Sequence, residues 1–112
     1  MQVIPKKAYY IWIGDNKKPE IFNRCYNSWL IYLKDYEIIE INENNFDIEY
    51  HRKKNKFFNE CFEKKLWAYC SDYIRTVVLY ENGGIYLDID MELLKPIDDY
   101  LSYDFFIGYV FC

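Results

Sequence analysis

Hydrophobic and polar positions alternate in blocks along the chain, and the blocks change period. Residues 7 to 15, KAYYIWIGD, are almost continuously apolar and stop at Gly14-Asp15, the pattern of a strand buried on both faces of a parallel sheet. From Pro19, PEIFNRCYNSWLIYL sets Ile21, Cys25, Trp29 and Tyr32 three or four residues apart, which predicts an amphipathic helix opened by a proline in its first turn. YEIIEIN (36 to 42) reads as a second short strand and NENN as the loop after it. Strand, helix and strand within about 45 residues match a parallel crossover unit.

The next block predicts one helix from about Lys56 to Glu81, with Leu66, Tyr69, Cys70, Tyr73, Ile74, Val77 and Val78 as its apolar stripe. Asn82-Gly83-Gly84 ends it, because the residue that terminates a helix usually takes a positive φ. IYLDID (85 to 90) reads as a third strand, MELLKPIDDYL as a loop or short helix interrupted at Pro96, and DFFIGYV (104 to 110) as a fourth strand. Alternating strands and helices predict an α/β sandwich.

Composition narrows this to one domain over residues 1–112. The 112 residues are 52% hydrophobic and 21% aromatic, enough for one core and too short for two. A formal charge of -4 argues against a nucleic-acid partner, which calls for a basic face. The short basic clusters Lys6-Lys7, Lys17-Lys18 and HRKKNK read as solvated faces, with His51 in the last of them as a surface residue. The N-terminal apolar run is too short for a transmembrane segment and is followed by no small-residue cleavage site, so a cytoplasmic chain is expected, either free or peripheral at the inner face of a membrane. Cys25, Cys61, Cys70 and Cys112 form no C-x-x-C pair. They are expected to be reduced, buried thiols. The final residues read as a strand without a closing turn, so the chain is expected to be the N-terminal part of a larger domain.

The chemistry concentrates in YENGGIYLDID. In an extended strand Tyr86, Asp88 and Asp90 share one face while Ile85, Leu87 and Ile89 take the other. The two carboxylates then stand about 6–7 Å apart along the chain and repel unless a cation or water lies between them. At the carboxyl end of a parallel strand that face opens on the crevice where α/β sheets bind ligands. A hard divalent ion, Mg²⁺ or Mn²⁺, would relieve the repulsion and leave coordination places for phosphate. Such sites serve phosphate chemistry, in which the ion takes up charge on a departing diphosphate. The same spacing also fits a solvated strand end. Asp72 and Arg75, three apart on one helical face, could contact sugar or ribose hydroxyls and phosphate, or form a plain surface ion pair. Trp12, after the first strand, could stack on a nucleobase or belong to the core.

Together IPKKAYYIWIGD and WAYCSDYIRTVVLYENGGIYLDIDMELLKP, in that order, resemble the Asp-x-Asp glycosyltransferases of the sugar-binding-region family, glycosyltransferase family 32. Its members include bacterial capsular-polysaccharide transferases and yeast-type α-mannosyltransferases, with glucosylating toxins as relatives. The resemblance spans nearly the whole chain. It implies a Rossmann-like GT-A fold, a UDP- or GDP-type nucleotide-diphosphate-sugar donor, Mn²⁺ or Mg²⁺, and hexose transfer to a glycan or polysaccharide acceptor with retention of configuration. On the matching positions, Trp12 would stack on the donor base, Asp72 and Arg75 would contact the donor sugar, and Tyr86 would lie near ribose and phosphate. Asp90 would bind the metal directly, and Asp88 would contact ribose, sugar or a metal-bound water; the two acids are the catalytic pair that the resemblance implies. The chain departs from the family where a polar residue usually precedes the first-strand tryptophan: here Tyr9-Tyr10 stand in its place. Two rival readings are a haloacid dehalogenase-like phosphatase, which places two aspartates after an apolar strand, and a non-catalytic domain that binds nucleotide sugars or protein partners.

Overall fold

The computed structural model describes residues 5–96. The expected fourth strand at 104 to 110, Cys112 and the stretch 97 to 101 lie outside them. The element order is β1 (Lys7–Ile11), α1 (Ile21–Tyr32), β2 (Glu37–Ile41), α2 (Ile48–Lys54), α3 (Lys56–Glu63), α4 (Trp67–Asn82) and β3 (Ile85–Tyr86). The three strands form one parallel sheet in the order β2-β1-β3. In register, Ala8 faces Ile38 on one side and Ile85 on the other.

The central place of β1 explains its unbroken apolar run. Ala8 and Tyr10 bury against α1, in a cluster with Cys25, Trp29, Leu33, Ile85, Leu87 and Leu93. Tyr9, Ile11 and Ile13 bury against the opposite layer, with Phe46, Ile48, Phe58, Cys70, Ile74 and Val78. A strand covered on both faces has no solvent side on which to place polar residues.

Several expectations need correction. The α1 stripe holds the expected Cys25, Trp29 and Tyr32 together with Phe22 and Tyr26, and Leu33 just past the helix continues it. Ile21 is exposed, and Pro19 stands before the helix, accepting from the Phe22 amide at 3.0 Å. The helix expected over 56 to 81 is two helices, because Lys65 takes a left-handed φ of 58° and turns the chain between α3 and α4. Leu66 and Tyr69 are consequently exposed, and the buried line of α4 is Cys70, Ile74 and Val78. The stop is as expected: Gly83 caps α4 with φ 70°.

The basic run around His51 belongs to α2. The Asp47 side chain caps that helix by accepting from the Tyr50 amide, and the Asn55 side chain caps α3 by accepting from the Phe58 amide. His51 is half-buried rather than a surface residue. Its ring stacks on Phe46 at 4.6 Å, and its Nδ1 lies 2.8 Å from the Tyr73 hydroxyl. Cys25, Cys61 and Cys70 are buried thiols outside any disulfide. Burial, and secondarily Cys61, pushes the Cys70 thiol up to about 11, so it behaves as a small hydrophobe and not as a nucleophile.

Candidate functional site

Parallel strands deliver their loops to one edge of the sheet. At that edge a cleft of about 370 Å³ is lined by Trp12 from the loop after β1, by Trp67, Ser71 and Asp72 from α4, by Tyr86 at the end of β3, and by Asp88 and Asp90 from the segment that follows it. Five of the six residues singled out in the sequence therefore line one cleft. The sixth, Arg75, does not line it but stands next to it: its Nη2 is 3.2 Å from Asp72 Oδ1 and its guanidinium carbon lies 5.2 Å from the Tyr86 ring centre. Both partners of that ion pair are substantially exposed, so it contributes about 0–1 kcal/mol to stability. The fold would lose little if the pair opened toward a ligand.

The acidic pair is not on a continuous strand. Pairing with β1 ends one step past Tyr86, where the Leu87 amide donates to the Tyr9 carbonyl at 2.8 Å. The chain then turns, and the Met91 amide returns to the Asp88 carbonyl at 3.0 Å. The alternation holds as far as Asp88, with Ile85 and Leu87 buried and Tyr86 and Asp88 on the other side. Beyond it Asp90 is presented by a turn, so the spacing expected from an extended strand does not apply. Both aspartates are exposed and line the cleft.

Tyr86 is the most perturbed group of the site. Burial first, then the charge and hydrogen bonding of Asp88, raise its phenol above the ordinary value of 10.0, while Arg75 pulls in the opposite sense. Its hydroxyl therefore keeps its proton at working pH and is a hydrogen-bond donor rather than a base.

The Trp12 loop is braced from several sides. Its amide donates to the Ile41 carbonyl at 3.0 Å and its indole Nε1 to the Asn16 carbonyl at 2.8 Å. The Lys18 ammonium, paired with Glu40 at 2.8 Å, lies 5.9 Å from the indole centre. Glu43 Oε2 accepts from the Gly14 amide at 2.6 Å. Gly14 has φ 93°, and a Cβ built on it would lie 2.8 Å from Trp67 Cε2 and Nε1. Glycine is needed there for both its conformation and its bare face.

Trp67 was missed in the sequence, where it falls inside the long periodic run from 56 to 81 and outside its apolar stripe. Its signal was a position four residues ahead of Ser71, on the same side of one helix and just over one turn before Asp72. Among the described residues, no group of three or more histidine, cysteine or acidic side chains could hold a metal. Two exposed carboxylates fit an oxygen-seeking ion that takes its remaining ligands from phosphate and water, and do not fit a closed structural site.

A family model described as "Glycosyltransferase sugar-binding region containing DXD motif" matches residues 19–106. The chain belongs to this family. The match extends past Asp88 and Asp90, which are the DXD acids of this sequence, and the haloacid dehalogenase-like alternative is set aside. Among curated proteins, this glycosyltransferase region is 38% identical over 64 residues to an uncharacterized glycosyltransferase of Acanthamoeba polyphaga mimivirus, covering 57% of the chain and 23% of that protein. It is 43% identical over 44 residues to Glucan organizing enzyme 1 of Cryptococcus neoformans var. grubii, covering 39% of the chain and 12% of that protein. Among solved structures, the PaToxG glycosyltransferase superposes with a TM-score of 0.62 at 20% identity, over 84% of this chain and 45% of that one. That likeness shows the fold: an α/β, GT-A arrangement of which this chain forms part. The matched segments span about a quarter or less of the curated relatives' lengths. No helix among the described residues is long and apolar enough to cross a membrane.

Proposed function

We propose that the chain forms the donor-binding part of a metal-dependent hexosyltransferase. It would take a UDP- or GDP-type nucleotide-diphosphate sugar and pass the hexose, with retention, to a glycan acceptor such as a capsular polysaccharide, in the cytoplasm or at the inner face of a membrane. The observation that carries this reading is the convergence of Trp12, Asp72, Tyr86, Asp88 and Asp90 on one cleft at the carboxyl edge of a parallel sheet.

Charge supports it as well. The charged side chains that line the cleft are the three carboxylates Asp72, Asp88 and Asp90. A diphosphate would be repelled by such a wall unless a divalent cation came with it. Asp90 and Asp88 would hold that ion, Mn²⁺ or Mg²⁺, which when bound neutralises charge growing on the departing diphosphate. The chain's own residues supply orientation. The half-buried Trp12 ring offers a flat surface to the nucleobase. The Tyr86 hydroxyl, held protonated and donating to Asp88, offers its oxygen as an acceptor to a ribose hydroxyl. Asp72 accepts from sugar hydroxyls, while Arg75 beside it balances its charge or turns to a phosphate.

The test is a titration of the full-length protein with UDP and GDP, with and without Mn²⁺. Binding is expected only with the ion, and Asp90→Asn should abolish that metal-dependent component with the fold intact. Trp12→Ala should weaken nucleotide binding by about 1–3 kcal/mol. Parent-like affinity in both variants would overturn the reading.

A further inference from the structure

The three residues after Asp90 are each bound to α1. The indole Nε1 of Trp29 donates to the Met91 carbonyl at 2.7 Å. Arg24 Nε lies 3.2 Å from both carboxylate oxygens of Glu92. The Leu93 amide donates to Ser28 Oγ at 2.9 Å, and that hydroxyl donates in turn to the Cys25 carbonyl at 2.6 Å. Arg24 and Ser28 stand four apart on one face and Trp29 follows Ser28 round the helix, so neighbouring faces of α1 hold three consecutive residues of the turn. Trp29 is 0% exposed, Leu93 1% and Ser28 7%.

Packing alone does not require this arrangement. Trp29 lies among the rings of Tyr10, Phe22 and Tyr26, where a phenylalanine could fill much of the same space. What a phenylalanine cannot do is donate to a buried carbonyl. Met91 is gripped at both ends of its backbone, its amide by the Asp88 carbonyl and its carbonyl by Trp29. Asp90 lies inside the loop so closed.

We propose that Trp29 and Ser28 are positioning residues for Asp90: their hydrogen bonds to Met91 and Leu93 fix the turn on α1, so that its carboxylate is held at the cleft before any ligand arrives. The proposal rests on the reading of Asp90 as a metal ligand. Partners that orient metal ligands typically change metal affinity by roughly 10–100-fold when removed. Ligand geometry set in advance lowers the ordering cost of binding.

The experiment measures Mn²⁺ affinity of the full-length protein in the presence of UDP or GDP, by the spin-resonance signal of free Mn²⁺, together with amide exchange at Met91 and Leu93. Trp29→Phe keeps a ring and removes the donor. Ser28→Ala removes the second contact and guards against a Trp29 variant that does not fold. Ile74→Val, in the opposite layer, is the control for loss of packing. Trp29→Phe and Ser28→Ala are expected to speed exchange at the two amides and to weaken Mn²⁺ binding by roughly ten-fold or more. Raising Mn²⁺ to saturation should return nucleotide affinity to the parent value, a rescue that general loosening of the fold would not show. Parent-like Mn²⁺ affinity in both variants, with Asp90→Asn still defective, overturns the positioning role alone. Parent-like Mn²⁺ affinity in Asp90→Asn overturns the metal reading and this proposal with it.

Discussion

The two faces of the sheet are built differently. One is covered by α1, a single helix whose contacts with the turn after β3 include directional hydrogen bonds, donated by Trp29 and accepted by Ser28. The other is covered by α2, α3 and α4, whose buried side chains are largely apolar and aromatic. Both layers serve the cleft, one by holding the acidic turn and the other by presenting Trp67, Ser71 and Asp72. Hydrogen bonds fix a direction and packing fixes a volume. Damage to the first layer should therefore appear in ligand geometry, and damage to the second in stability.

The largest expected effect tests the second layer. Phe58 is 0% exposed and stacks on Tyr73 at 4.6 Å. Its replacement by alanine should cost about 3–5 kcal/mol through lost burial and the cavity left behind. Denaturant unfolding of the full-length protein would measure this. Nucleotide affinity of the fraction that remains folded should be unchanged. A loss of affinity as large as the loss of stability would mean that the layers do not divide the work as described.

A smaller effect is expected where the second layer meets the Trp12 loop. At Gly14 an alanine would bring a Cβ 2.8 Å from the Trp67 indole and take an unfavourable φ of 93°. Gly14→Ala should cost about 1–3 kcal/mol, shared between stability and nucleotide binding because the loop that shifts carries Trp12. Isothermal titration with UDP or GDP beside thermal unfolding would show the division. Binding unchanged to within error would release Trp12 from dependence on the Gly14–Trp67 contact.

The same contrast explains what the sequence disclosed. β1, α1 and β2 were legible because each keeps one period from end to end, and β1 is apolar from Ala8 onward as a doubly covered strand must be. The cleft residues Trp12, Asp72, Tyr86, Asp88 and Asp90 were legible because they fall at strand ends or beside a recognisable motif. The second layer was not, since its helices are short and their boundaries depend on single residues. Asp47 and Asn55 are good caps, but neither is followed by the glutamate that completes a capping box. The bonds of Trp29 and Ser28 link residues 62 and 65 positions apart, and no local period reports them. Trp67 and Lys65 were hidden in one periodic run whose apolar stripe continues across the break.

Lys65 provides the smallest test, and one whose sign carries the information. A lysine at φ 58° sits in the left-handed region at a cost of about 1–2 kcal/mol. Glycine would remove most of that cost, but would add back about 0.4–1 kcal/mol through the greater freedom of the unfolded chain. Lys65→Gly should therefore stabilise the protein by up to about 1.6 kcal/mol, with a mid-range value of about 0.8, the difference of these two terms. Lys65→Asn separates them, because asparagine tolerates the left-handed region without glycine's freedom when unfolded. Stabilisation by both, read as a rise in the midpoint of chemical unfolding, would establish that the corner between α3 and α4 is dictated by the packing of Phe58, Cys61 and Cys70 on either side of it and not by the residue that makes the turn. Destabilisation by both would mean that the lysine side chain itself holds the corner, and the second layer would then depend on a polar contact as the first does.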